Sequence, residues 1–395
     1  MSDAHSEPSQ KKKWVKRILL ILLILLLVIT LGIGFFIWRA GHTWDSKTEK
    51  FDSITKVDED LTKIKEQLGE AKKLNVTELK APTVTNSDTG KNGTNANGSD
   101  AAAALAANAS DHDKDGDGIL DDGYSYNVVK GPGKNILLLG SDTRSGSEAA
   151  LVSGSRADSI MLAHIPADGK GVYLVSIMRD TWVNIPGYGS AKINAALNYG
   201  GISLQVATVE NLLGIKIDHV AEIEFEGFKA LVNSVNGVDV QVPFDFDINA
   251  WSFKQGMQHM DGGAALAFVR ARYPFADGDY QRVRNQRAFL RGLYNTMKAK
   301  GALSNVGSFQ SAVESIAGYM RVDSGLDAAQ IAQIAAPVLT SGDTTMRMTT
   351  LPNAGPGWSY DGQSIVIVNQ AANANLSYAL QHDSMDQFMA TYGQD

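Results

Sequence analysis

Apolar positions change their rhythm several times along the chain. From Ile18 to Trp38 no residue is charged and most are Leu or Ile. As a helix this run covers about 32 Å, enough to cross a hydrocarbon core of about 30 Å. Further on, Phe51, Ile54, Val57, Leu61, Ile64 and Leu68 recur at three- and four-residue steps among Lys and Glu, which predicts an amphipathic helix serving as a stalk. Pro82 to Ser110 is mostly Asn, Gly, Thr, Ser and Ala and reads as a disordered spacer. From Asn135 onward apolar runs alternate with amphipathic ones. Strands are predicted at Asn135–Gly140, Ser159–Ile165, Gly171–Ile177, His219–Phe225 and Val238–Val242. Helices are predicted at Ser203–Leu213, Gly227–Val235, Gly262–Val269, Tyr280–Lys298, Ser308–Met320 and Ala328–Val338. Strands separated by such helices give a layered α/β/α domain with a mixed central sheet.

Charge orients this arrangement. Lys11, Lys12, Lys13, Lys16 and Arg17 precede the apolar run, so the positive-inside rule leaves the N-terminus in the cytoplasm and places the rest beyond the membrane. Trp38-Arg39-Ala40 lacks the small-x-small pattern of a cleavage site, which favours a retained anchor. The expected organisation is a cytoplasmic tail at 1–17, a transmembrane helix at 18–38, an extracytoplasmic stalk and flexible acidic linker at 39–130, and a globular domain at 131–395. The chain has no cysteine, which excludes disulfides, thiol chemistry and Cys-ligated zinc. In the linker, Asp113, Asp115, Asp117 and Asp121 around Gly116 and Gly118 resemble a calcium loop; Tyr124 stands where a bidentate Glu belongs, so a solvated acidic linker explains them equally well.

Against a formal net charge of -7, the arginines of one segment stand out: Arg270 and Arg272, then Arg282, with Asp279 and Gln286 nearby. Guanidinium groups stay charged and offer a flat fork of donors suited to phosphate oxygens. A solvated helix face is the plainer explanation, although such faces usually mix Lys with Glu. Asp142 and Arg144 follow the first domain strand, Arg156 and Asp158 precede the second, and Arg179 with Asp180 follow the third, all at strand ends where α/β sheets bind ligands. If the first two strands are neighbours, their carboxylates can converge on magnesium or manganese; aspartates near glycines also serve as turn caps. Pro274 biases Tyr273 away from helix, so Arg270 and Arg272 should lie in loosening chain and point to one side. Arg282 and Gln286, four apart, share a helix face.

The blocks LLLGSDTR (Leu137–Arg144), RADSIML (Arg156–Leu162), SIMRDT (Ser176–Thr181), KINAALNYGG (Lys192–Gly201) and FVRARYPFADGDYQRVRNQ (Phe268–Gln286) resemble the LytR-CpsA-Psr family in order and spacing. The resemblance implies a magnesium-dependent phosphotransferase that moves an anionic glycopolymer (teichoic acid, capsular or related polysaccharide) from an undecaprenyl-pyrophosphate carrier to peptidoglycan. It implies that Asp142 and Asp158 hold the metal, and that Arg156, Arg179, Arg270, Arg272 and Arg282 surround the pyrophosphate with Gln286 beside them. It also implies an apolar enclosure for the polyprenyl chain between sheet and helices. Ala157, Met178, Asn285 and Arg287 depart from the family's commonest pattern.

Arginine is too weak a base to take a proton, which leaves Asp142, Asp158 or Asp180 for that step without choosing among them. A non-catalytic scaffold that binds the lipid carrier or glycan is the alternative. Nucleic acid is not an expected partner, since the domain is acidic and lies outside the membrane. From about Gly301 the sequence offers no usable motif, and no further domain is expected there.

Overall fold

The computed structural model describes residues 42–51, 128–141, 157–299, 317–341 and 345–393. The expected span at 18–38, the acidic motif at Asp113, Asp115, Asp117 and Asp121, the stalk positions Ile54 to Leu68, and Asp142, Arg144 and Arg156 all lie outside these residues. Among the described residues no helix is long and apolar enough to cross a membrane.

Among the described residues a helical segment at 42–47 precedes strands β1 (Glu49–Phe51), β2 (Lys134–Ser141), β3 (Ala157–Ile165) and β4 (Val172–Ile177). A hairpin of β5 (Trp182–Ile185) and β6 (Gly189–Lys192) leads into helix α1 (Ala195–Leu213), strand β7 (His219–Glu224) and helix α2 (Phe225–Ser234). Four short strands follow, β8 (Val238–Val242), β9 (Phe246–Ile248), β10 (Trp251–Phe253) and β11 (Gly256–Met260), then helices α3 (Gly262–Arg270) and α4 (Asp279–Ala299). The remainder supplies β12 (Met320–Asp323), α5 (Ala328–Ser341), β13 (Met346–Thr350), the hairpin β14 (Asn353–Trp358) and β15 (Ser364–Val368), and helices α6 (Gln370–Gln381) and α7 (Met385–Tyr392).

Seven strands form the mixed central sheet in the order β1-β12-β7-β2-β3-β4-β13. Side chains alternate across a strand, so β2 sends Leu137 and Leu139 to one face and Ile136 and Leu138 to the other. The first face is sealed: Leu137, Leu139, Ile160, Leu162, Val175 and Ile177 join a fully packed core with residues of α1, α6 and α7. The second face meets α2, α3, α4 and α5, and there Ile136 and Leu138 remain only partly buried. Close approach of α4 to β8 requires Gly292, because a Cβ there would collide with the Asp239 carbonyl.

Several expectations are corrected. Phe51 is in a strand, not in an amphipathic helix: β1 runs parallel to β12 with Phe51 opposite Asp323, and nearby Trp44 is buried and donates its Nε1–H to the Leu326 carbonyl at 3.1 Å. Long-range pairing overrides the local three- and four-residue spacing. The helix expected at Ser308–Met320 does not reach its end, since 317–319 is a 3-10 turn and Met320 opens β12. Val238–Val242 is a strand, but its alternating burial pairs it with β11 outside the central sheet. Helix α1 starts at Ala195, its first turns joined to the rest across a kink at Gly200 and Gly201, where Gly201 has φ 67°.

At the far end of the sheet, buried His164 places Nδ1 2.8 Å from Asn135 Oδ1 and Nε2 3.1 Å from Asp383 Oδ1, while Asp383 Oδ2 accepts from the Ala167 N–H at 2.7 Å. Burial pushes the Asp383 pKa up, but the bonds from His164 and Ala167 outweigh it and hold the carboxyl below its ordinary value. A depressed folded pKa stabilises the protein above the unfolded carboxylate value of about 3.9 and ceases to do so as pH falls through the lower folded value. Asp383→Asn should therefore lower Tm at neutral pH and flatten the acid limb of a Tm-versus-pH curve below about pH 4. Trp44→Ala, which empties a buried indole site, should cost about 3 kcal/mol in urea unfolding followed by circular dichroism.

Candidate active site

Strands β2, β7, β4 and β13 run in one direction, with β3 and β12 opposed, so one rim of the sheet collects the ends of Ser141, Ile177, Glu224 and Thr350 and the starts of Ala157 and Met320. Asp158 sits at the register shift where β3 begins, opposite the Gly140–Ser141 end of β2. Arg179 and Asp180 follow β4 directly, as expected. Arg179 donates to Asp158 Oδ1 at 2.6 Å and brings its Nε to 3.9 Å from Asp180. The adjacent carboxylate of Asp180 takes Lys192 Nζ at 3.3 Å and Arg272 at 3.2 Å.

Helix α3 is capped by Asp261, whose side chain accepts from the Ala264 N–H at 2.8 Å, and it ends at Arg270 because Ala271 turns to φ -59°, ψ 123°. The two arginines diverge instead of pointing to one side. Arg270 lies over the Phe225 ring, 4.1 Å from its centroid, and Arg272 reaches Asp180. Helix α4 turns a polar stripe inward: Asp279, Arg282 and Asn285 are buried at helical spacing, and Gln286 donates to the Val269 carbonyl at 3.4 Å. Asp279 and Arg282 form a buried ion pair. Burial pushes the Asp279 pKa up, with Arg282 opposing and Asp180 adding to the rise. Burial likewise lowers the Arg282 pKa against the pull of Asp279. For Arg179 burial acts downward, yet Asp158, Asp180 and Asp279 together raise it.

Two cavities meet at this charged rim. One, of about 180 Å³, lies between the unsealed sheet face and helices α2, α3 and α4; Leu138, Phe228, Leu266 and Phe289 line it, and Asp158, Arg270 and Gln286 stand in its wall. The other, of about 510 Å³, has Asp180, Arg272, Asp279 and Arg284 on one side and the β14–β15 hairpin on the other. Arg179 spans from Asp158 to Asp180, and so from one cavity wall to the other. Among the described residues, five basic side chains (Arg179, Lys192, Arg270, Arg272, Arg282) accompany three carboxylates (Asp158, Asp180, Asp279), with Asp277 and Arg284 paired beside them. The surplus is positive. Among the described residues, the buried Nε–H groups of Arg179 and Arg282 have no hydrogen-bond acceptor. Buried donors without acceptors are rare, and the oxygens of an anion are acceptors suited to them.

The structure thus brings together Asp158, Arg179, Arg270, Arg272, Arg282 and Gln286, while Asp142 and Arg156 lie outside the described residues. Two further residues belong here. In the sequence Lys192 was visible only as the first residue of the block KINAALNYGG, and Asp279 only as an acid near the arginines and just before the expected helix at Tyr280–Lys298, with no role given to either. Among the described residues no group of three or more carboxylate or imidazole side chains is arranged to hold a metal. Asp158 offers hard oxygen ligands of the type magnesium accepts, and Asp142 follows the end of β2 directly in the chain.

The model of the LytR_cpsA_psr family matches residues 94–388. Over 194 residues the chain is 36% identical to the polyisoprenyl-teichoic acid–peptidoglycan teichoic acid transferase TagU of Enterococcus faecalis, covering 49% of this chain and 62% of that protein. It is 39% identical over 189 residues to the probable cell wall biosynthesis protein LcpB of Corynebacterium glutamicum, covering 45% of each. The crystal structure of B. subtilis TagV superposes with a TM-score of 0.54 at 27% identity, over 65% of this chain and 99% of that one. The matched segments span about 60% of the length of the TagU relatives.

Removing either member of the Asp279–Arg282 pair leaves a buried charge alone, so Asp279→Ala and Arg282→Ala should each cost about 3–5 kcal/mol of stability. The double replacement should cost less than the sum, a coupling that a double-mutant cycle in urea measures directly.

Proposed function

The chain belongs to the LytR_cpsA_psr family, and from that membership we propose that it is a membrane-anchored phosphotransferase that moves an anionic glycopolymer from an undecaprenyl-pyrophosphate carrier to peptidoglycan. The observation that carries this reading is the pair of buried guanidinium Nε–H groups without acceptors, set in a positively charged rim between an apolar and a polar cavity. A lipid diphosphate fits both halves of that arrangement: its chain enters the apolar cavity beside Phe225 and Phe289, and its phosphates meet Arg179, Arg270, Arg272 and Arg282. Expected Arg156 would add to this set. The anchor at 18–38 keeps the domain beside the lipid it draws on.

Phosphoryl transfer depends mainly on positioning and charge stabilisation. In the proposed reaction an acceptor hydroxyl attacks the phosphorus nearer the glycan and forms the new P–O bond. The bond to the bridging oxygen breaks, polyprenyl phosphate leaves, and the arginines stabilise its developing charge. Asp158 and Asp142 would hold magnesium, which when bound supplies further neutralisation of phosphate oxygens. The acceptor's proton goes to Asp279. All three carboxylates have basic partners, Asp158 with Arg179, Asp180 with Lys192 and Arg272, and Asp279 with Arg282; among them Asp279 lines the polar cavity and has a pKa raised by burial, the direction that strengthens a base.

The test is purified full-length chain with a polyprenyl-diphosphate-linked glycan, an undecorated peptidoglycan acceptor and magnesium, followed by release of polyprenyl phosphate and attachment of the glycan. Arg179→Ala or Arg270→Ala should lower the transfer rate a few hundredfold, about 3 kcal/mol in the transition state. Asp279→Asn should lower it by about 10²–10⁴. Binding of the lipid diphosphate with no turnover by the wild type would instead indicate a scaffold.

A further inference from the structure

The β14–β15 hairpin forms one wall of the polar cavity through Pro356, Ser364 and Val366. Pro356 and Trp358 are two apart on β14, and their cross-strand partners are Val366 and Ser364, so Trp358 continues the cavity-lining face of the hairpin outward. Its indole is 76% exposed, and Tyr360 in the adjoining turn is 65% exposed. An exposed indole needs an explanation when its backbone is this firmly held. Ser359 and Gln363 exchange hydrogen bonds across the turn, Gln363 N–H to Ser359 Oγ at 2.9 Å and Ser359 N–H to the Gln363 carbonyl at 2.9 Å, and Gln363 Nε2 donates to Asp361 at 2.6 Å. Tyr360 meets buried Trp182 edge to face at 6.2 Å.

The hairpin is also joined to the charged rim. The Val366 N–H donates to the Asp180 carbonyl at 2.9 Å, and Val366 packs against Met178 and Val283. In an in-line displacement the nucleophile approaches opposite the leaving group. With the lipid phosphate leaving toward the apolar cavity at Arg270, the attacking hydroxyl comes from the side of Asp180, Arg272 and Asp279, which is the polar cavity. Its volume of about 510 Å³ is within the range of small-molecule sites.

We propose that this cavity and the β14–β15 hairpin bind the acceptor sugar chain, with the face of Trp358 stacked on a pyranose ring. The proposal rests on the reading of the charged rim given above and names the side from which its acceptor enters. A flat aromatic ring offers apolar area that matches the C–H face of a sugar at small cost in conformational entropy. The polar groups across the cavity, the Asp277–Arg284 ion pair and the Tyr280 hydroxyl that donates to Asn353 Oδ1 at 3.0 Å, are suited to sugar hydroxyls.

The experiment uses full-length protein in nanodiscs and isothermal titration with two probes, a soluble undecorated peptidoglycan oligosaccharide and a polyprenyl diphosphate. Trp358→Ala should weaken oligosaccharide binding about tenfold and leave polyprenyl diphosphate binding unchanged, while Trp358→Phe restores most of the affinity. In the transfer assay Trp358→Ala should raise KM for the acceptor with little change in kcat. The proposal is overturned if wild-type protein does not bind the oligosaccharide, if Trp358→Ala binds it as well as wild type, or if the substitution weakens polyprenyl diphosphate binding equally. Failure of the wild type to bind polyprenyl diphosphate, with Trp358-dependent sugar binding intact, would remove the reading of the rim and leave the sugar platform standing.

Discussion

Charges withdrawn from water must find one another, and this requirement organises the whole rim of the sheet. Each ion costs several kcal/mol to desolvate, so a buried arginine is tolerable only beside a carboxylate. Asp279 and Arg282 meet that condition on one turn of α4, Arg179 meets it across two strands with Asp158, and Asp180 gathers Lys192 and Arg272 from separate elements. The fold elements around the rim are arranged accordingly: α3 stops at Arg270, the β5–β6 hairpin returns at Lys192, and β15 bonds the backbone of Asp180. What remains without a hydrogen-bond partner among the described rim residues is the Nε–H of Arg179 and of Arg282 and the carboxylate oxygens of Asp279, and these are the groups that the proposed ligand would have to meet.

The two faces of the sheet divide structure from function. Odd-numbered residues of β2 enter a dense core with α1, α6 and α7, and that face supplies the rigidity. Even-numbered residues face helices that do not close on them, leaving room beside Leu138 and Met161. One strand therefore packs a core with one face and lines a cavity with the other, and the period of two in its sequence separates the two.

The central strands were legible because burial on both faces produces unbroken apolar runs, and β2, β3, β4 and β7 end within a residue or two of the expected positions. Later strands were not. In β12 and β13 the residues Arg321 and Arg347 interrupt four or five positions, and Gly355, Pro356 and Gly357 make β14 read as a turn; their strand character comes from distant partners. Of the rim arginines, Arg270, Arg272 and Arg282 stood out by charge in an acidic chain, and Arg179 by its place after a strand end. The positions that depart from the family's common pattern have interior uses: Met178 packs on Val283 and Val366, Asn285 donates to the Phe268 carbonyl at 3.3 Å, and Arg287 bonds Thr350.

Strand β1 alters how far the domain can travel. Because Glu49–Phe51 is already hydrogen-bonded into the sheet and Val129 bridges Ile215, both ends of the long segment between them are fastened to the same body. Its length then adds nothing to the leash. Trp44, seated in the core from a helical segment at 42–47, fastens the chain earlier still, so in the proposed topology the reach from the bilayer is set by residues 39–41, roughly 10 Å when stretched, and the proposed lipid-receiving mouth stays close to the headgroups.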